Sequence, residues 1–328
     1  MKQKPKVSIC LPTLNSLQFL EERVESIRNQ SLTDFEVIVF DSYSEDGTWE
    51  YLQNVALEDK RFHLKQGPRG LYFGWNQAIK AASGEYLYIA TSDDTFDLHF
   101  IEDAVRGLEQ FPEVDICAFP LDIISGESEV IPQKWESYIQ NQYYGDWLKR
   151  PHLRDGQMEF LRHGIFFALF HSITALFFRR RIFDNAGYFD ETVGYSADVH
   201  WTASAVYASD VLYLPSARAT WRMHDTQVTQ FSIEKQTEEY ALFREQMLKK
   251  MECALTPFDV LSAERLRFNK YLIGLKKRPY MGRLAHLKYS APEIARVLLR
   301  KQRRPSLYLM NMAIEKIGYD DFKEITML

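Results

Sequence analysis

Gly70-Leu-Tyr-Phe-Gly-Trp-Asn-Gln-Ala-Ile-Lys-Ala-Ala-Ser-Gly-Glu-Tyr-Leu-Tyr-Ile-Ala-Thr-Ser-Asp-Asp94 decides the fold of this chain. A loop leads into a helix over about residues 75–82, Ser83 and Gly84 stop it, and an apolar run over 86–90 reads as a buried strand. That strand ends on the adjacent carboxylates Asp93 and Asp94. In an open α/β sheet, ligands bind outside the carboxyl ends of the strands. Two acids crowded there repel unless a cation or a donor-rich partner shares the site. The stretch therefore points to a metal-bound, phosphate-bearing substrate.

The same alternation extends in both directions. Residues 7–12 form a short apolar strand, and Asn15 or Ser16 can cap the following helix, whose stripe is Leu17, Leu20, Val24 and Ile27. A second apolar strand over 35–40 ends at Asp41, and Asp46-Gly47 turns into a helix over 48–58. A weaker strand covers 62–65. Beyond the opening stretch come a helix with the stripe Ile101, Ala104, Val105, Leu108 and Phe111, and a strand near 115–119. Strands that are apolar throughout, alternating with amphipathic helices, belong to a parallel sheet covered on both faces. Residues 125–164 are less regular and rich in Trp135, Tyr138, Tyr143, Tyr144 and Trp147. Strand character returns over 173–178, and short helices are expected at 181–186 and 198–207. From about residue 232 the chain reads as mostly helical and basic, so the expected organisation is a domain over 1–231 and an extension over 232–328.

The composition bounds the function. At 328 residues and 46% hydrophobic, the chain can bury a large core, and its net charge of −5 argues against a nucleic-acid partner. Cys10, Cys117 and Cys253 are odd in number and widely separated, which fits neither a disulfide framework nor a zinc site and suits a reducing compartment. The first residues run into a strand without an apolar leader, and no apolar run reaches the roughly 20 residues of a membrane span. A cytoplasmic protein is expected.

Five segments, in order and spacing, resemble family 2 glycosyltransferases: Val7-Ser-Ile-Cys-Leu-Pro-Thr-Leu-Asn15, Asp41-Ser-Tyr-Ser-Glu-Asp-Gly-Thr48, the opening stretch, Gly187-Tyr-Phe-Asp-Glu191 and Arg222-Met-His224. The resemblance covers roughly residues 5–230. It implies a GT-A fold, Rossmann-like and mostly parallel with helices on both faces, followed by the mostly helical C-terminal extension. The implied activity is inverting transfer of a sugar from a nucleotide diphosphate, a UDP-sugar first, to a hydroxyl of a glycan or lipid-linked saccharide, in cell-surface polysaccharide synthesis.

By the same resemblance, Pro12, Thr13, Asn15, Asp41, Arg69, Asn76, Asp93 and Arg222 contact the donor. Asp41 would read the base, Asp93 would meet the ribose or the metal, and Arg222 would pair with the diphosphate. Asp94 and His224 would hold Mn²⁺ or Mg²⁺, the imidazole tilting the choice toward Mn²⁺. Thr91 stands where the family commonly has the first acid of D-x-D. Asp198 would be the catalytic base that takes the proton from the acceptor hydroxyl. Blander roles compete at each position: a turn aspartate at Asp41, a solvated arginine at Arg69, helix capping at Asp94 and Asp198, and a structural histidine at His224. Ser44, Asp46 and Thr48 read as turn and cap residues.

The Arg265-to-Arg304 region carries thirteen Lys and Arg residues with leucines interleaved, either a solvated helical face or a surface for anionic lipid at the inner membrane face. Two other enzyme classes fit poorly, because Pro12-Thr-Leu-Asn-Ser16 follows the first strand instead of a glycine-rich phosphate loop. A catalytically degenerate nucleotide- or glycan-binding protein remains the non-enzyme alternative.

Overall fold

Parallel strands need crossovers, and here amphipathic helices supply them. In the computed structural model β1 (Val7–Thr13), α1 (Leu17–Arg28), β2 (Phe35–Asp41), α2 (Thr48–Glu58), β3 (Phe62–Gln66), α3 (Leu71–Ala81) and β4 (Tyr86–Ile89) follow one another. The structure describes residues 4–131, 144–157, 159, 160, 163, 172–225 and 322–327. The chain divides into two compact units, one of residues 1–160, 168–230 and 323–328, the other of 161–167 and 231–322. The functional site lies in the first.

β1 pairs in parallel with β2 on one side and β4 on the other, and β2 pairs in parallel with β3. The odd residues of β1 (Val7, Ile9, Leu11) join one apolar core with Leu20, Val24 and Ile27 of α1 and Leu52 and Val55 of α2. The even residues face α3, where Gly74 approaches Pro12 and Phe40 so closely that a Cβ would stand 3.3 Å from Pro12. Both faces are covered, as uninterrupted apolar strands require.

Beyond β4 come α4 (Phe100–Gln110), β5 (Ile116–Ala118), β6 (Leu121–Ile124), β7 (His152–Arg154), β8 (Leu176–Arg179), α5 (Ile182–Ala186), α6 (Ala197–Ala208), β9 (Val211–Tyr213), β10 (Ala219–Arg222) and β11 (Phe322–Glu324). The main sheet runs β11-β7-β9-β5-β8-β4-β1-β2-β3, and β6 and β10 form a separate parallel pair. This is the expected mixed α/β architecture with a mostly parallel sheet.

Several details differ from the sequence reading. α3 starts at Leu71, a turn earlier than expected, because Gly70 at φ 156° ends the preceding loop directly before it. Residues 173–175 form a 3-10 turn that Ser172 caps through Thr174 N–H, and only then does β8 begin. β8 runs antiparallel to both β4 and β5. Residues 322–324, expected within a helical extension, form the edge strand β11. The aromatic segment from Trp135 as far as residue 143, and the basic region from 265 to 304, lie outside the described residues. Among the described residues no helix is long and apolar enough to cross a membrane.

Candidate functional site

Register brings the carboxyl ends of three parallel strands together. Thr13 stands opposite Asp41 across β1 and β2, and the Ala90 amide donates to the Cys10 carbonyl where β4 ends. These strand ends and the loops leaving them carry Pro12, Thr13, Asn15, Asp41, Asp93 and Asp94.

At the end of β2, Asp41 is fully buried and its carboxylate is enclosed by donors. The Thr13 hydroxyl donates to Oδ1 at 2.9 Å and the Ser44 hydroxyl at 2.5 Å, while the Ser44 amide and the Gln66 side-chain amide donate to Oδ2 at 3.0 and 3.1 Å. Of these partners, Gln66 is the exposed one. The β1 and β2 loops are stitched together: the Asn15 amide donates to Ser44 Oγ, and the Glu45 amide donates back to Asn15 Oδ1, both at 2.9 Å. Asp46 accepts from the amides of Thr48 and Leu17, so Ser44 and Asp46 act as the turn residues the sequence suggested. Pro12 is buried against α3, and Arg69 is exposed on the turn before Gly70.

At the end of β4 the adjacent acids part. Asp93 turns toward His224, whose Nε2 lies 3.0 Å from Asp93 Oδ2 and whose ring packs on Phe19. Asp94 turns inward and is 1% exposed, accepting the Thr91 hydroxyl at 2.5 Å and the Arg222 amide at 2.8 Å. Burial, and then the charge of Asp93, push the Asp94 carboxyl up to about 8. Thr91, standing in place of an acid, thus becomes a donor to the neighbouring acid.

Arg222 binds differently from the diphosphate contact expected of it. Its guanidinium is fully buried, with Nε donating to the Asp93 carbonyl at 2.7 Å and Nη2 to Glu22 Oε2 at 2.6 Å. Nη1 donates to the carbonyls of Ser125 and Gly126 and to Ser128 Oγ. Arg222 therefore ties the Asp93–Asp94 loop to α1 and to the turn after β6. Asn76, also expected at the donor, is buried too. Its amide donates to the Phe189 carbonyl and to Glu191, and its oxygen accepts from the Phe189 amide at 3.0 Å. It clamps the Gly187-to-Glu191 segment onto α3.

Asp198 lies in the first turn of α6, where Tyr72 from the first turn of α3 donates a hydrogen bond to its Oδ1 at 3.1 Å. Tyr72 stacks on Phe189 and meets Trp75 edge-on, so its hydroxyl is rigidly aimed. Tyr72, Gln66 and Glu22 carried no signal in the sequence. Their partners are 25 to 200 positions away, and only the fold brings them together.

The pair Asp93 and His224 brings one carboxylate oxygen and one imidazole nitrogen within 3.0 Å of each other, both part-buried. A catalytic divalent cation takes one or two protein ligands and completes its shell with substrate phosphates and water, so these residues fit such an ion. Among the described residues no group of three or more His, Cys, Asp or Glu forms an all-protein metal cage.

Comparison with known proteins agrees with this architecture. A beta-1,3-glucosyltransferase of Campylobacter jejuni, named for GalNAc(5)-diNAcBac-PP-undecaprenol, is 38% identical over 96 residues, which span 27% of this chain and 30% of that enzyme. The crystal structure of S. aureus TarS 1-349 in complex with UDP-GlcNAc superposes with a TM-score of 0.59 at 16% identity, covering 95% of this chain and 84% of that one. The mannosyltransferase PcManGT from Pyrobaculum calidifontis, in complex with GDP-Man and Mn²⁺, gives 0.55 at 18% identity over 96% and 80%. At those identities the two structures establish the shared GT-A fold. The family model for glycosyl transferase family 2 matches residues 8–181, more than half of the chain, and the chain belongs to that family.

Proposed function

We propose that this chain transfers a sugar, with inversion, from a UDP-sugar to a hydroxyl of a glycan or lipid-linked saccharide in cell-surface polysaccharide synthesis. One observation carries the reading. Asp41 closes the parallel strand β2, Asp93 and His224 lie just past the carboxyl ends of β4 and β10, and Tyr72 and Asp198 stand in the first turns of α3 and α6. That edge is where an open α/β sheet takes its ligand. The TarS complex with UDP-GlcNAc supports a UDP donor, and the name of the Campylobacter enzyme supports a lipid-linked acceptor. The basic region from 265 to 304 suits a peripheral contact with anionic lipid, close to such an acceptor.

In this reading Asp41 accepts an N–H of the base, with Gln66, the exposed donor, giving up its place on Oδ2. Thr13 and Asn15 hold the loops beneath the nucleoside, and Arg69 reaches the donor from the turn before α3. Asp93 and His224 hold Mn²⁺ or Mg²⁺, while Asp94 and Arg222 fix the loop that presents Asp93. When bound, the cation neutralises charge on the departing diphosphate as a Lewis acid. Asp198 takes the proton from the acceptor hydroxyl as its oxygen attacks the anomeric carbon. The bond from that carbon to the phosphate oxygen breaks on the opposite face, and its electron pair leaves with UDP.

The test is turnover of UDP-sugars, read as released UDP, in wild type and Asp198→Asn, with UDP affinity measured on both. Turnover lost at unchanged affinity supports the assignment. An equally active Asp198→Asn enzyme removes the base. UDP binding without turnover of any nucleotide sugar favours the degenerate binding protein.

A further inference from the structure

Among the described residues, three that are not glycine adopt a left-handed backbone: Asn15 at φ 49°, Tyr43 at 56° and Ser128 at 64°. Asn tolerates this region through its short polar side chain, but a bulky aromatic residue there is an outlier. Glycine would occupy the same turn without steric cost. The flanking backbone holds Tyr43 in place: the Ser42 amide donates to the Thr13 carbonyl at 2.9 Å, and the Ser44 amide to Asp41 Oδ2 at 3.0 Å. The ring gains little from the fold in return, since Tyr43 is 56% exposed. It lies two residues past Asp41, on the loop stitched to Asn15. A strained, over-determined conformation at an exposed aromatic residue two positions past a buried carboxylate is the pattern of a ligand contact rather than of a packing residue.

We infer that Tyr43 is the stacking face for the nucleobase of the donor, with Asp41 reading the base edge, and that it separates nucleoside diphosphates from bare diphosphate. The inference rests on the donor site proposed above. Base–aromatic stacking accepts any base, because every base has a π face. Tyr43 therefore sets affinity for a base-bearing ligand, while the edge contacts select which base.

The experiment titrates UDP and inorganic pyrophosphate, each with Mn²⁺, into wild type, Tyr43→Gly and Tyr43→Phe by calorimetry, with melting temperatures alongside. Tyr43→Gly is expected to bind UDP about tenfold more weakly, the size of one lost base–ring stack. Its pyrophosphate affinity stays unchanged and its melting temperature is held or raised, because the strain is relieved. Tyr43→Phe keeps UDP affinity within about twofold, since the ring remains. Unchanged UDP affinity in Tyr43→Gly, when wild type binds UDP, overturns the inference. So does a lowered melting temperature with equal losses for UDP and pyrophosphate, which marks a structural ring. Failure of wild type to bind UDP sinks the UDP-donor reading itself, a result distinct from either.

Discussion

Replacing Tyr72 by Phe removes one hydroxyl and keeps the ring that packs on Trp75 and Phe189. The hydroxyl donates to Asp198 Oδ1 at 3.1 Å, and the Val199 amide donates to the same oxygen at 2.9 Å. A donor to a carboxylate favours its ionised form, so removing it lets the acid keep its proton to higher pH. Hydrogen bonds to charged groups contribute about 1.5–3 kcal/mol net, and one pH unit corresponds to about 1.4 kcal/mol. The side chain of Asp198 is half-buried and the Val199 amide stays, which places the effect at the lower bound, about one unit. The assay is UDP release from a UDP-sugar at saturating acceptor, followed from about pH 5 to 9 for wild type and Tyr72→Phe. The acid limb of kcat/KM is expected to move up by about one pH unit, with a smaller change on the plateau. A plateau loss with the limb unmoved would show that Tyr72 acts through packing alone. A moved limb in an enzyme that tolerates Asp198→Asn would place the base elsewhere.

Two further predictions concern the loop that carries Asp93. Folding raises the Asp94 carboxyl from the ordinary carboxylate range to about 8, so the folded chain holds a proton that the unfolded chain has already released. The stability this gives is full below the unfolded value and is lost as pH climbs through about 8, so wild type should melt progressively lower toward alkaline pH. Asp94→Asn, a neutral acceptor for the Arg222 amide, should flatten that decline, which melting curves at mildly acid and alkaline pH would reveal. Arg222→Leu leaves the Asp93, Ser125 and Gly126 carbonyls without their guanidinium donor and should cost about 3 kcal/mol in urea unfolding. Glu22→Gln, at the more exposed end of the same contact, should cost less than about 1 kcal/mol.

What the sequence made legible was local. The apolar strand ahead of Asp93 and Asp94, the Leu20, Val24 and Ile27 stripe of α1, and the turn chemistry of Ser44 and Asp46 depend on neighbours a few positions apart and appear in place, whereas Leu17, read into the same stripe, is 38% exposed. Partnerships between distant residues were not legible. Arg222 reads as a free cation in the chain, yet its guanidinium meets Glu22 across 200 positions. Asn76 reads as a ligand contact and instead holds Phe189 and Glu191 across more than 110 positions. The two acids look equivalent in sequence, but a strand end sends one outward to His224 and the other inward to Thr91. Strand direction was equally hidden: β8 is apolar like its neighbours, and nothing in an apolar run records that it enters the sheet antiparallel.

On the function proposed above, the carboxyl edge of β1, β2 and β4 binds a nucleotide diphosphate with a divalent cation at Asp93 and His224. Calorimetric titration of UDP, GDP, dTDP and CDP, each with and without Mn²⁺, tests it on wild type and His224→Ala. One nucleotide, expected to be UDP, should bind preferentially, tighten with Mn²⁺, and lose that metal response in His224→Ala. Binding to none of the four by the folded wild-type protein would contradict the claim.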